Sequence, residues 1–275
     1  MKAKICIVQF PGVNCEHETA LAVEAAGMEA AIVRWNRLDA DLAGFDGFIL
    51  PGGFSYEDRV RAGAIAAGED IMVGLMEEAG VGKPVVGICN GAQVLVECGL
   101  VPGSAGRGIE LALAPNKGVG RDGYYSNWVY LTPGETPGNS AVTTDLDPGE
   151  VLPIPIAHSQ GRFISRDCGL FDRLDAEGRI ALKYCRPDGS EPGGFPHNPN
   201  GSEHDAAAIS NPAGNVVAMM PHPERATWLR QVPFDLPGPW SKTRSDIKAW
   251  KDAEGAGPGL RIFRSIKLYI EDRRP

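Results

Sequence analysis

Lys83-Pro-Val-Val-Gly-Ile-Cys-Asn-Gly-Ala-Gln-Val-Leu-Val-Glu-Cys98 changes character in its middle. Residues 84–88 form a β-branched run, apolar apart from its glycine, which predicts a buried strand; residues 92–98 predict a helix. Between them, Gly87-Ile-Cys89-Asn-Gly91 has the small-x-nucleophile-x-small pattern, in which glycines two residues to either side let a strand reverse sharply into a helix. Cys89 is therefore expected on a tight, strained turn at a helix N-terminus, where unpaired N–H groups and the helix dipole suit a sulfur nucleophile. The plainer reading, a small buried residue, describes most free cysteines. The flanking glycines favour the nucleophile.

Upstream, residues 5–10 read as a strand, 16–26 as a helix closed by Gly27, and 30–35 as a second strand, which together make a βαβ unit. A third strand at 46–50 ends in Pro51-Gly52-Gly53, a helix is expected over 62–79, and the 84–88 strand is the fourth. The fold class predicted is α/β: an open, mostly parallel sheet with helices on both faces, with ligands beyond the carboxyl ends of the strands. Gly52-Gly53 and Cys89 both lie at such ends. Downstream, 101–125 reads as connection, and short strands are expected at 128–132, 151–157, 180–184, 206–210 and 216–220, suiting added antiparallel strands in the same domain. Residues 186–205 read as a surface loop, a short helix is expected after Pro223, 227–259 is a Pro/Gly-rich extension, and 260–271 is a final amphipathic helix. The expectation is one domain over 1–275, with extension and last helix packed on it.

Composition narrows the function. The chain has 275 residues, 43% hydrophobic and 23% charged, with a formal charge of −8. Without a Lys/Arg run to offset that balance, nucleic acid is not expected as a partner. Six scattered cysteines without C-x-x-C suggest neither a metal knuckle nor a disulfide framework. No leader and no membrane-crossing apolar run are seen, so a cytoplasmic setting is expected.

A nucleophile needs a base. His222-Pro-Glu224 closes the 216–220 strand, and in extended chain residues two apart face the same way, setting imidazole and carboxylate side by side. The carboxylate fixes the tautomer and leaves the other ring nitrogen for the thiol proton. An isolated histidine here would more simply be structural, but prolines on both sides hold this pair extended. A metal is not expected, because His17, His158, His197 and His204 offer no partner at ligand spacing. For acyl transfer, the N–H groups of Asn90 and Gly53 are candidate oxyanion donors, although Pro-Gly-Gly alone is a common turn.

Taken together, Gly87-Ile-Cys89-Asn-Gly-Ala-Gln93 and Pro221-His222-Pro-Glu224 resemble the class I (triad) glutamine amidotransferases. Pro51-Gly-Gly-Phe-Ser-Tyr56, Arg61-Ala-Gly-Ala-Ile65, Ile154-Pro-Ile-Ala-His158, Asn198-Pro-Asn-Gly-Ser202 and Met219-Met-Pro-His-Pro-Glu-Arg-Ala226 resemble, more narrowly, glutaminase subunits of phosphoribosylformylglycinamidine synthase. The resemblance covers residues 4 to 226. It implies that Cys89 attacks the side-chain amide of L-glutamine, that His222 backed by Glu224 moves the proton, that Gly53 and Asn90 form the oxyanion hole, and that Gln93 helps hold glutamine. It also implies ammonia delivery to a large synthetase subunit, with a small accessory subunit. That partner would use ATP and Mg²⁺ to turn formylglycinamide ribonucleotide into the amidine, and this chain would bind no cofactor itself.

The chain departs from the family pattern in places. Glu57 stands where the family usually has glycine, Ser159-Gln160 replaces the more usual Gly-Glu, and the tail from Thr227 is longer than expected. His158 reads equally as substrate-proximal or structural, His17 as a helix-start residue, and the cysteines other than Cys89 as core or surface thiols. Two other classes remain. A peptide or small-carbonyl hydrolase with an elbow cysteine would share Cys89 without predicting Gln93 or His222-Pro-Glu224, and a silent regulatory module would not need the whole triad.

Overall fold

The computed structural model describes the chain except residues 38–40, 105–107, 118–122, 137 and 274–275, so parts of the predicted 101–125 connection lie outside the described residues. The strands are β1 Lys4–Gln9, β2 Glu29–Arg34, β3 Gly47–Leu50, β4 Val85–Ile88, β5 Ala112–Ala114, β6 Tyr125–Pro133, β7 Leu152–His158, β8 Arg162–Ile164, β9 Ile180–Cys185, β10 Ala206–Ser210 and β11 Val216–Met219. The α-helices are α1 Glu16–Ala25, α2 Asp70–Gly80, α3 Asn90–Glu97, α4 Leu170–Ala176, α5 Pro239–Ser245 and α6 Leu260–Glu271. No helix among them is long and apolar enough to cross a membrane.

A nine-stranded sheet runs β2-β1-β3-β4-β11-β10-β9-β6-β7, and β5 pairs with β8 in a small separate ribbon. Pairing is parallel from β2 through β11 and antiparallel from there to β7. The predicted parallel sheet with added antiparallel strands is thus the observed one. Its central strands are continuous apolar runs because both sides are covered: β3 and β4 are buried at every residue. Laid flat, β4 and β7 would stand roughly 24 Å apart at ordinary strand spacing. Instead the Ala157 carbonyl of β7 lies 3.6 Å from Cys89 Sγ beyond β4, so the antiparallel half curls back over the carboxyl ends of the parallel half.

Several boundaries differ from the sequence reading. The helix expected over 62–79 begins only at Asp70, because Gly63 has φ +79° and sits against α3, where a Cβ would come within 2.7 Å of the Gln93 carbonyl carbon. Helix α3 starts at Asn90, not residue 92. The 186–205 segment is not wholly surface: Asn198, Asn200 and Ser202 are buried. Two short helices, α4 and α5, lacked enough apolar periodicity to be seen. At the other end, α6 buries Leu260, Ile262, Phe263, Ile266 and Ile270 on one side, as its spacing predicts.

Candidate active site

The elbow is built as its glycines require. Cys89 has φ 51° and ψ −104°, a left-handed-side conformation that costs a non-glycine residue on the order of 1–3 kcal/mol and is held only where its surroundings insist. They do so by contact: a Cβ at Gly87 would lie 2.4 Å from the Gly91 carbonyl oxygen, and one at Gly91 would lie 2.0 Å from that of Leu50. The Cys89 N–H is donated to the Met219 carbonyl at 2.8 Å, joining the elbow to the end of β11. Its S–H is directed at the Ala157 carbonyl.

Just past β11, the His222 N–H is donated to the Pro155 carbonyl at 2.8 Å, fixing the backbone on which the imidazole is carried. His222 Nδ1 donates to Glu224 Oε1 at 2.6 Å, and both side chains are buried. Nε2 is also buried, without a hydrogen-bond partner among the described residues. Burial opposes the charged ring, but the facing Glu224 carboxylate and the neighbouring Cys89 sulfur outweigh it and hold the imidazole pKa well above its ordinary value. Cys89 and the His222-Glu224 pair, far apart in sequence, thus meet at one rim.

The candidate oxyanion donors are carried by segments tied to each other. Gly53 forms a bridge with Val13 whose hydrogen bonds run from Phe54 N–H to Gly12 and from Asn14 N–H to Gly52, so the bridge does not use the Gly53 N–H. Asn90 Oδ1 accepts the Ser55 N–H at 3.0 Å, binding that turn to the residue after Cys89. Asn90 Nδ2 donates to Gln93 Oε1 at 2.9 Å, and Gln93 Nε2 donates to the Gln160 carbonyl at 2.8 Å. Both ends of the Gln93 carboxamide are therefore engaged, one by Asn90 and the other in bracing the 158–161 loop.

That loop is held from other sides too. His158 Nδ1 donates to Asn116 Oδ1 at 3.0 Å, and Asn200 Nδ2 donates to the Gly161 carbonyl at 2.8 Å. Gly161 lies so close over the imidazole that a Cβ would be 2.3 Å from its Cε1. Burial, with the charge of His222 adding to it, pushes the His158 pKa down to about 3, so the ring is a neutral structural post. Of its two readings, the structural one fits this packing.

Sequence reasoning missed Cys15, Arg225, Asn116 and Asn200. Cys15 was expected to be a core or surface thiol, but Arg225 Nη2 donates to its sulfur at 3.0 Å beside His222. Cys15, His222 and Glu224 offer ligand atoms within 4.8 Å of one another, a soft-metal donor set in kind. The guanidinium already on the sulfur is poor company for a cation.

A cysteine on a strand-to-helix elbow, facing a buried His-Glu pair at the carboxyl ends of a parallel sheet, is the arrangement expected of a class I glutamine amidotransferase. The CobB/CobQ-like glutamine amidotransferase domain model matches residues 2–270. A Methanothrix thermoacetophila protein named phosphoribosylformylglycinamidine synthase subunit PurQ is 46% identical over 98% of this chain and 99% of its own. The Thermus thermophilus protein of the same name is 43% identical, covering 80% of this chain and 88% of its own. Among solved structures, a chain of PurLQS from Thermotoga maritima has TM-score 0.71 and 31% identity, covering 98% of this chain and 100% of that one. This chain belongs to the PurQ family, the glutaminase subunits of phosphoribosylformylglycinamidine synthase.

Proposed function

We propose that this chain hydrolyses L-glutamine to L-glutamate and ammonia through a thioester on Cys89, and passes the ammonia to a large synthetase subunit in purine biosynthesis. The Cys89 sulfur adds to the side-chain carbonyl carbon with its proton carried by His222, whose buried Nε2 has no other hydrogen-bond partner among the described residues. Glu224 holds the ring in orientation and stabilises the imidazolium that results. The N–H groups of Gly53 and Asn90 face the oxygen that gains charge, each such donor contributing on the order of 3 kcal/mol. His222 then protonates the departing nitrogen, ammonia leaves, and water, giving up a proton to the same ring, cleaves the thioester. Gln93 shapes the glutamine pocket by holding Gln160 in place.

The synthetase, aided by a small accessory subunit, spends ATP and Mg²⁺ on formylglycinamide ribonucleotide, in the cytoplasm. Residues 1–275 work as one glutaminase domain. The observation that supports this reading best is the buried His222-Glu224 pair beside Cys89 on its strained elbow. The test is ammonia release from glutamine with and without the synthetase. The expected result is a strong rise in its presence and none with Cys89→Ser; a Cys89→Ser chain as active as wild type would remove the mechanism. Strong peptidase turnover by the isolated chain would favour the hydrolase alternative.

A further inference from the structure

Cys15 precedes α1, and both its own N–H and that of Asn14 are donated to the Gly52 carbonyl at 3.2 Å. These bonds seat the start of α1 against the turn that follows β3. Gly52 has no room for a side chain there: a Cβ would lie 2.6 Å from His222 Cε1 and 3.2 Å from Cys15 Sγ. Imidazole edge, sulfur and glycine are packed together in the interior.

The sulfur has defined polar partners. Its S–H is directed at Asn14 Oδ1 at 3.2 Å, and it accepts the Arg225 Nη2–H at 3.0 Å. The same guanidinium brings Nε to 3.9 Å from Glu224 Oε1, the oxygen that orients His222. Arg225 is part-exposed, and a long side chain at a molecular edge loses its geometry readily without an anchor. The anchor is Cys15.

We propose that Cys15 is a positioning residue for the glutaminase reaction: by holding the Arg225 guanidinium beside Glu224 and supporting the edge of the imidazole, it sets the orientation of the His222-Glu224 pair from α1. This rests on the catalytic reading of Cys89, His222 and Glu224 given above. Among the described residues Cys15 makes no hydrogen bond to His222 Nε2, the nitrogen that moves the proton; it acts through Arg225 and the edge of the ring. Because small displacements of a catalytic group have large effects on rate, its loss falls on turnover, not on glutamine binding.

The experiment compares Cys15→Ala, Cys15→Ser and Arg225→Gln in the full chain assembled with its synthetase, measuring kcat and KM for glutamine. In the full chain alone, the alkylation rate of Cys89 by iodoacetamide is followed on its own peptide. The expected result for Cys15→Ala is a fall in kcat of about tenfold with KM within about twofold. Cys89 alkylation slows in step. Cys15→Ser, whose hydroxyl keeps both the donor and the acceptor, recovers to within about threefold of wild type. Arg225→Gln, at a part-exposed position, reproduces the Cys15→Ala loss and adds little to it in the double variant. Should Cys15→Ala fail to fold, Arg225→Gln alone decides: an unchanged kcat overturns the proposal. Unchanged turnover in Cys15→Ala, a change confined to KM, or a serine variant as impaired as alanine also overturns it. Cys89→Ser separates the two readings: inactive Cys89→Ser beside a normal Cys15→Ala removes only the role of Cys15, whereas active Cys89→Ser removes the catalytic reading itself.

Discussion

Two histidines stand near Cys89, and their surroundings drive them in opposite directions. His222 faces a carboxylate and a sulfur, and its charged form is favoured in spite of burial. His158 is deeply buried, with the charge of His222 adding to the effect, and its pKa falls to about 3. For His158 the consequence is a stability that depends on pH. Its unfolded form binds a proton below about pH 6.5 while its folded form does not until about pH 3, so this residue makes folding less favourable as pH falls through that window. Chemical denaturation from pH 6.5 to 4 is expected to show wild type losing stability more steeply than His158→Leu, by up to about 1.4 kcal/mol per pH unit. Equal slopes would mean the ring is charged in the folded chain. The meeting of Cys89 with the His222-Glu224 pair was legible in sequence because glycines around a cysteine and prolines around a histidine are local signals. The contact of Cys15 with Arg225 was not, because it joins residues at opposite ends of the chain and the motif that holds Arg225 names no partner for it.

The elements around the site are laced loop to loop more than helix to sheet. The turn at 54–61 carries Tyr56, Glu57, Asp58 and Val60 at positive φ, among them Glu57 at 59°, where the family pattern prefers glycine. Glycine adopts that conformation freely, whereas a larger residue is strained there. Among the described residues, the Glu57 side chain pairs with exposed Arg59 alone, a contact worth little. Glu57→Gly is therefore expected to raise stability by about 1 kcal/mol in thermal or denaturant unfolding, and a loss of stability would show that this strain estimate is misplaced. The strand-elbow-helix unit could be read from its glycines and its change of period. The true start of α2 could not, because Gly63 interrupts the preceding turn through its packing on α3, a contact invisible in sequence. The buried Asn198-Pro-Asn-Gly-Ser202 segment looked like surface for a similar reason: its polar side chains bond inward, to the 158–161 loop and to Tyr184.

Across the whole molecule, the sheet curls so that strands from both of its halves converge on one rim, and the C-terminal segment closes behind it. Gly257 and Gly259 donate N–H groups to Thr227 and Ala226, and a Cβ at Gly259 would lie 2.0 Å from the Pro223 carbonyl oxygen. The tail thus packs directly on the turn that carries His222 and Glu224. Its last helix buries Ile262, Phe263, Ile266 and Ile270, whose removal would forgo roughly 1.5–3 kcal/mol each. That sum rivals the net stability of a whole domain, about 5–15 kcal/mol. A chain truncated after Gly259 is expected to lose cooperative unfolding and glutaminase activity together; a truncated chain that folds and turns over normally would show the tail to be an appendage. The fold class was legible from alternating strand and helix patterns, but the curl was not, since it depends on how the antiparallel strands twist as a set.

The central claim is that Cys89 carries the glutamyl group. Its most direct test is acid quenching of the assembled enzyme during turnover of isotopically labelled glutamine, followed by mass spectrometry of the Cys89 peptide. The account predicts a γ-glutamyl thioester on Cys89 that is absent from Cys89→Ser and accumulates only with glutamine. A glutamyl adduct on another cysteine, or full turnover with Cys89 unlabelled at every time sampled, would contradict it.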